Sequence, residues 1–206
     1  MDISEDVIEA VKNEYAEILS MIGPAVTIER LKAPEGSLCL WKFTVRVRTY
    51  YISGTGDSNP KPTDQIVFYM DVRVGYPRES PKVYYEPGKI LASINTFTTG
   101  SQCIDHWYFD ENYAGKNTTL AGTVRKTLMD IIHEPAVSRY DSPAHSALIS
   151  WQRQMTESGK LPSARLDRVL KTGKDEAKST IPPALPEMPK KKIVTPPNLP
   201  GDYRKA

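Results

Sequence analysis

Two runs of strict alternation constrain this chain more than anything else in it. From Trp41 to Val47, Trp41, Phe43, Val45 and Val47 fall on one side, with Lys42, Thr44, Arg46 and Arg48 on the other. From Ile66 to Val74, Ile66, Phe68, Met70, Val72 and Val74 alternate with Val67, Tyr69, Asp71 and Arg73. A period of two places successive side chains on opposite faces of an extended strand. Two such runs, joined by a loop rich in Gly, Asn, Asp and Pro (53–64), predict antiparallel pairing with one buried face. A candidate first strand, 25–32, precedes them and ends at the turn Ala33-Pro34-Glu35-Gly36. Tyr76-Pro77 stops the second run, and Lys82–Tyr85 reads as a short fourth strand.

Helical spacing frames these strands. Over residues 2–22, Ile3, Val7, Ile8, Val11, Tyr15, Ile18, Leu19 and Ile22 share one face. Asp2, Glu5, Asp6 and Glu9 crowd the start, where the helix dipole favours negative charge, and Gly23-Pro24 ends the helix. A second helix opens at a capping threonine, Thr118 or Thr119, and buries Leu120, Val124, Leu128, Ile131 and Ile132 before Pro135 closes it. A last one starts near Ser142-Pro143, with Leu148, Ile149, Trp151 and Met155 as packing residues. The fold class is therefore α+β: an N-terminal helix, antiparallel strands, a long loop and two C-terminal helices.

The chain has 206 residues, enough for one domain with a core and an extension. Its net charge of +2 argues against a nucleic-acid partner. No apolar run approaches the roughly 20 residues of a membrane helix. The acidic, periodic N-terminus resembles neither a secretory signal nor a transit peptide. The two cysteines, Cys39 and Cys103, do not make a disulfide framework, so a reducing cytoplasmic setting with free thiols is expected. Charge is unevenly placed: residues 1–157 carry a net −4 and residues 158–206 a net +6. Eight of the 17 prolines lie in 159–206. The division expected is thus a domain at 1–157 and a basic, Pro-rich, mostly flexible tail at 158–206, with a short helix at 163–172. The tail reads either as a solvated extension or as a docking segment for an aromatic groove or acidic surface.

Between strands and helices, residues 86–117 show little periodicity. A long irregular stretch in a compact domain is usually functional or disordered, and its aromatic residues (Phe97, Trp107, Tyr108, Phe109, Tyr113) argue against disorder. Cys103 lies in it. A free cysteine is most often a buried small hydrophobe, and Cys39, among Leu38, Leu40 and Trp41, takes that reading directly. No cofactor pattern is present, and Cys103-x-x-His106 lacks the remaining ligands of a metal site.

The surroundings of Cys103 resemble the ubiquitin-conjugating enzyme family. Its Tyr-Pro-x-x-x-Pro segment is similar to Tyr76-Pro77-Arg78-Glu79-Ser80-Pro81. Its His-Pro-Asn tripeptide places Asn eight residues before the catalytic cysteine, and Asn95 stands eight before Cys103. Gly100-Ser-Gln-Cys103-Ile104-Asp105 resembles Gly-x-x-Cys-Leu-Asp, and Trp107 matches a following Trp or Leu. Thr119-Leu120, Glu134-Pro135 and Asp141-Ser142-Pro143-Ala144-His145-Ser146 match later markers in order. The similarity covers residues 1–157 and implies a helix, a four-stranded antiparallel meander, a long active-site loop and two helices.

It implies an enzyme, a cysteine acyl transferase that takes a ubiquitin-like protein on Cys103 as a thioester and passes it to a lysine amine. The implied partners are a ubiquitin-like modifier, a ubiquitin-activating-type enzyme and a protein substrate. Asn95 would donate to the oxyanion of the tetrahedral intermediate, or shape the loop by hydrogen bonding. Ser142 or Asp141 would orient or deprotonate the attacking lysine, or cap the last helix.

There are departures. Ser93 and Ile94 replace the family's His and Pro, so Asn95 must be held differently. His106 is either a local base or an ordinary packed or surface residue. Residues 1–20 hold six acidic residues and one basic, Lys12, where familiar members present basic residues to the activating enzyme. That points to a divergent relative of the kind found in bacterial ubiquitination-like operons, with antiviral defence as a setting. Two other readings stand beside the carrier: a catalytically inactive module of the same fold that binds a ubiquitin-like partner, and an unrelated cysteine hydrolase using Cys103 with His106 or His133.

Overall fold

The computed structural model describes residues 4–54, 57–103, 119–138, 143–161 and 166–171. Helix α1 runs Glu5–Met21; Ser4 caps it, its hydroxyl accepting from Val7 N–H, and Glu5 and Asp6 sit in the first turn. Its apolar stripe buries Val11, Ile18 and Met21. Tyr15 packs on Trp41 with ring centroids 5.0 Å apart, which lays α1 against the sheet.

The strands are β1 (Val26–Leu31), β2 (Ser37–Val45), β3 (Thr49–Ile52), β4 (Lys61–Thr63), β5 (Ile66–Arg73), β6 (Lys82–Tyr85) and β7 (Ile90–Leu91). A four-stranded sheet has the order β1-β2-β5-β6, antiparallel throughout. Trp41 pairs with Met70, Phe43 with Phe68 and Val45 with Ile66, so the two alternating runs meet with their apolar faces in register. Phe43 and Phe68 stack at 4.5 Å and are fully buried. The alternation on β5 does not divide core from solvent as expected: Val67 and Asp71 are buried too. β5 is an inner strand, and Asp71 is held there by Arg73 at 3.1 Å.

A second sheet, of order β4-β3-β7, has no counterpart in the sequence reading. Part of the segment 53–64, read as a loop, pairs here, Pro62 opposite Tyr50, and β3 also pairs with β7 through Tyr51↔Leu91 and Ile52↔Ile90. This small sheet fixes the backbone that leads into residues 92–96.

Helix α2 (Leu120–Ile131) starts at Thr119, whose hydroxyl accepts from Gly122 N–H at 2.9 Å. Leu120, Val124, Leu128, Ile131 and Ile132 are all buried, as the periodicity predicts. The carboxylate of Glu14 accepts from Tyr76 hydroxyl and from Leu120 N–H, joining α1 to the open N–H groups at the start of α2. Burial raises the Glu14 pKa against the opposing effect of those bonds.

The last helix departs from expectation. It does not begin at Ser142-Pro143: a 3-10 turn at Ser146–Leu148 leads into α3 at Ile149–Glu157, which has no side-chain cap. The reason lies just upstream, where Ala144 and His145 N–H both donate to Ile94 carbonyl at 2.7 and 3.1 Å, engaging those groups with another segment.

The ordered body also extends beyond residue 157. Helix α4 (Leu166–Val169) buries Val169, and with Leu170 it joins the same core as α1 and β2. Gly23 and Ala25 N–H donate to Val169 and Arg168 carbonyls at 2.8 and 2.9 Å, and Lys171 N–H to Met21 carbonyl at 2.7 Å. A Cβ on Gly23 would lie 2.4 Å from Arg168 carbonyl oxygen, so this approach requires glycine. Residues 166–171 pack on the domain and fall within the short helix expected at 163–172. Residues 172–206 lie outside the described residues. No helix among the described residues is long and apolar enough to cross a membrane.

Candidate active site

Cys103 is half-buried, and its N–H donates to Asn95 carbonyl at 2.8 Å. The eight-residue spacing read from the sequence thus corresponds to a direct backbone contact. Between the two residues the chain forms a tight hairpin. Thr96 bridges Gln102, Phe97 N–H donates to Ser101 carbonyl, and Gly100 N–H returns to Phe97 carbonyl, each of the last two at 2.8 Å. Gly100 has φ +87°, which a residue with a side chain adopts only under strain. The hairpin lies along β6 through Tyr85 N–H to Gly100 carbonyl and Gln102 N–H to Val83 carbonyl, both 2.8 Å. Phe97, at its tip, is an exposed large apolar side chain.

Beneath the hairpin is a buried polar network around Asp130 of α2. Its Oδ1 accepts from Ser93 hydroxyl at 2.6 Å and from Asn95 side-chain amide at 3.0 Å; its Oδ2 accepts from Gln102 amide at 3.0 Å. Gln102 Oε1 accepts in turn from Tyr85 hydroxyl at 2.9 Å and Thr96 hydroxyl at 3.3 Å. Burial raises the Asp130 pKa, opposed by the bonds from Ser93, Gln102 and Asn95. Ser93 is thus tied to a carboxylate 37 residues away.

Asn95 has two amide hydrogens, and both are engaged: one on Asp130, the other on Val137 carbonyl at 2.9 Å. In this arrangement the side chain shapes the loop, and its free capacity to donate to an oxyanion is nil. Gln152 of α3, fully buried, links the next layer. Its Oε1 accepts from Ile94 N–H at 3.2 Å and its Nε2 donates to Ser138 hydroxyl at 3.0 Å.

Of the five candidate residues read from the sequence, Cys103 and Asn95 are brought together. Ser142, Asp141 and His106 lie outside the described residues. Pro143, which follows Ser142, is within two residues of the bonds to Ile94, adjacent to Asn95. Asp130 and Gln152 are not singled out in the sequence, and Gln102 stands there only as a position of the Cys103 motif without a role. The available signal is position: Asp130 sits among Thr127, Leu128 and Ile131 on the buried side of α2, and Gln152 is one turn after Leu148.

The second cysteine is inert by its surroundings. Cys39 is 3% exposed, and burial pushes its thiol up to about 12. Native protein is expected to take up one equivalent of iodoacetamide, at Cys103, with Cys39 reacting only after denaturation. Peptide mapping of the alkylated chain checks this, and modification of Cys39 in the native state would contradict it.

His133 is not placed with Cys103 by any contact found among the described residues. It has φ +55° and is 5% exposed; its ring lies edge-on to Trp151, and its Nε2 is 3.4 Å from Thr49 hydroxyl. Among the described residues no group of three or more His, Cys, Asp or Glu could hold a metal ion.

No family model matches this sequence, and no curated protein matches it. Among solved structures, S. cerevisiae Ubc12 is similar over 75% of this chain and 74% of that chain, with 18% sequence identity and a TM-score of 0.49.

Proposed function

We propose that this protein is a ubiquitin-conjugating-like carrier: Cys103 accepts the C-terminal acyl group of a ubiquitin-like protein and gives it to a lysine amine. The observation that carries the reading is the half-buried Cys103 hydrogen-bonded to Asn95 carbonyl, at the end of a hairpin anchored to β6 and α2. A cysteine built into such a rigid mount differs from Cys39, which is simply packed.

Loading is transthiolation. The Cys103 thiolate attacks the thioester carbonyl on the activating-type enzyme, a new S–C bond forms, and that enzyme's thiolate leaves. In discharge, a lysine nitrogen attacks the same carbonyl, the bond to Cys103 breaks, and the amine's proton passes to a base. Asp141 or Ser142 takes the orienting or base role, and His106 is a further local base. Asn95 holds Cys103 through its backbone carbonyl and the loop through its amide. The acidic first turn of α1 fits an activating-type partner unlike the one that familiar, basic-helix members meet.

One observation favours a second reading, an inactive module that binds a ubiquitin-like partner: both amide hydrogens of Asn95 are already engaged.

The test is a trap. Cys103→Ser, purified from its own host with ATP present, is expected to carry an oxyester adduct that resists thiol reductants and yields to mild base. Cys103→Ala is expected to carry none. An adduct of equal yield on Cys103→Ala would place the acyl group elsewhere and end the carrier reading.

A further inference from the structure

Three side chains from the two arms that flank the thiol converge on one carboxylate. Ser93 and Asn95 come from the arm before the hairpin and Gln102 from the arm after it, and each donates to Asp130. Asp130 is 1% exposed and sits on α2, so the hairpin is referred to a rigid helix rather than to another loop. The network has no slack. Ser93 hydroxyl also accepts from Asn95 N–H at 3.1 Å, and Gln102 Oε1 already receives Tyr85 and Thr96.

Burying a carboxylate to hold a loop carries a desolvation cost that donors must offset. A stabilising role alone is met as well by apolar residues of similar volume. What a carboxylate supplies is acceptor capacity on both oxygens: Oδ1 orients the Asn95 arm and Oδ2 the Gln102 arm, one residue before Cys103.

We propose that Asp130 is a positioning residue for the chemistry at Cys103, its two acceptor oxygens fixing both arms of the hairpin so that the thioester carbonyl is presented to the attacking amine. The proposal rests on the thioester reading of Cys103 and deepens it. Asp130 touches no reacting atom; it acts through Asn95 carbonyl, which holds Cys103 N–H, and through Gln102, its neighbour in sequence. A misplacement of about 1 Å at a reacting centre costs on the order of a hundredfold in rate, so a small release of either arm is enough to slow discharge.

Donor and acceptor directions allow a specific test. In Asp130→Asn, the new Nδ2 faces Gln102 Nε2, donor against donor. If Gln102 turns over to relieve this, Tyr85 and Thr96 lose their acceptor. Combining Asp130→Asn with Gln102→Glu reverses one bond and keeps every other. The introduced amide oxygen still accepts from Ser93 and Asn95, and the introduced Nδ2 donates to the new carboxylate. That carboxylate still accepts from Tyr85 and Thr96.

The full-length chain and each variant are loaded with modifier in an extract of the source cells with ATP. They are then isolated and discharged onto free lysine over a range of concentrations, with thermal midpoints measured alongside. Asp130→Asn is expected to lower the saturating discharge rate about tenfold or more, with KM for lysine unchanged. The double variant is expected to recover to within about threefold of the native rate. Ser93→Ala removes a single donor at the edge of the network and is expected to slow discharge in the same way, which keeps the proposal testable if Asp130→Asn does not fold. A purely structural role would move thermal midpoints and leave the saturating rate of the folded protein alone. That result overturns the proposal, as does a double variant no faster than Asp130→Asn. A native chain that never loads sinks the thioester reading itself, on the loading step, before any discharge is measured.

Discussion

Phe68→Ala is expected to destabilise the domain by about 3–5 kcal/mol, the range for deleting a large aromatic side chain from a packed core. Phe68 is fully buried on β5; it stacks on Phe43 at 4.5 Å and meets Tyr85 edge-on at 6.3 Å. A loss of that size is a large share of the roughly 5–15 kcal/mol by which such domains are stable. The cavity would lie directly against Tyr85, whose hydroxyl donates to Gln102 beside Cys103. Urea unfolding followed by tryptophan fluorescence measures the effect, and a midpoint close to that of the native chain would show that the Phe43–Phe68 stack is not the core's centre. Phe68→Leu, which refills most of the volume, should cost clearly less.

The second large effect is a pH dependence carried by His133. Burial lowers this histidine from 6.5 to about 4, so the folded chain keeps it neutral where the unfolded chain protonates it. Across that window the unfolded state binds more protons; stability is therefore full above the unfolded value and falls as pH drops towards the folded one. At roughly 1.4 kcal/mol per pH unit, the loss by pH 4 is about 3 kcal/mol. The geometry agrees. Thr49 hydroxyl gives its single proton to Ile131 carbonyl at 2.7 Å, so it accepts from Nε2–H, and Nδ1 is buried with no partner among the described residues.

Asp130 and Glu14 act in the opposite sense, because burial raises both and a raised carboxyl favours the folded form as pH falls. The informative quantity is therefore the difference between the native chain and His133→Asn, since asparagine tolerates the positive φ. The native chain should lose about 3 kcal/mol relative to that variant between pH 7 and pH 4, read by urea titration at each pH. Parallel curves would mean that His133 protonates freely in the fold.

Much of this architecture is legible because it is written in period. The alternation of Trp41–Val47 and Ile66–Val74 predicts β2 and β5 and their pairing, and helical spacing predicts the buried faces of α1 and α2. The β3, β4 and β7 strands are not legible. They have four, three and two residues, too few for a period to declare itself, and β4 contains a proline. The start of α3 escapes for a different reason. Ser142-Pro143 is a good local signal for a helix, yet the following N–H groups are taken by Ile94, a partner about fifty residues away that no local pattern announces.

The site divides the same way. The family resemblance, through its Asn-to-Cys spacing, singles out Cys103 and Asn95, and the structure places a backbone hydrogen bond between them. Asp130 and Gln152 escape notice because a polar residue on a helix reads as solvated unless its partners are known. Those partners, Ser93, Asn95, Gln102 and Ile94, come from distant parts of the chain. The sequence leaves Asn95 open between an oxyanion donor and a loop-shaping residue, because the acceptors of its two amide hydrogens, Asp130 and Val137 carbonyl, lie 35 and 42 residues away.

The most direct test of thioester chemistry at Cys103 is the intact mass of the native chain, purified from its own host with ATP present and divided into samples with and without a thiol reductant. A carrier shows an added mass that the reductant removes and that Cys103→Ala never carries, its size identifying the modifier. The bare mass in every sample of a folded protein would contradict a carrier at Cys103 and leave the inactive binding module as the better description.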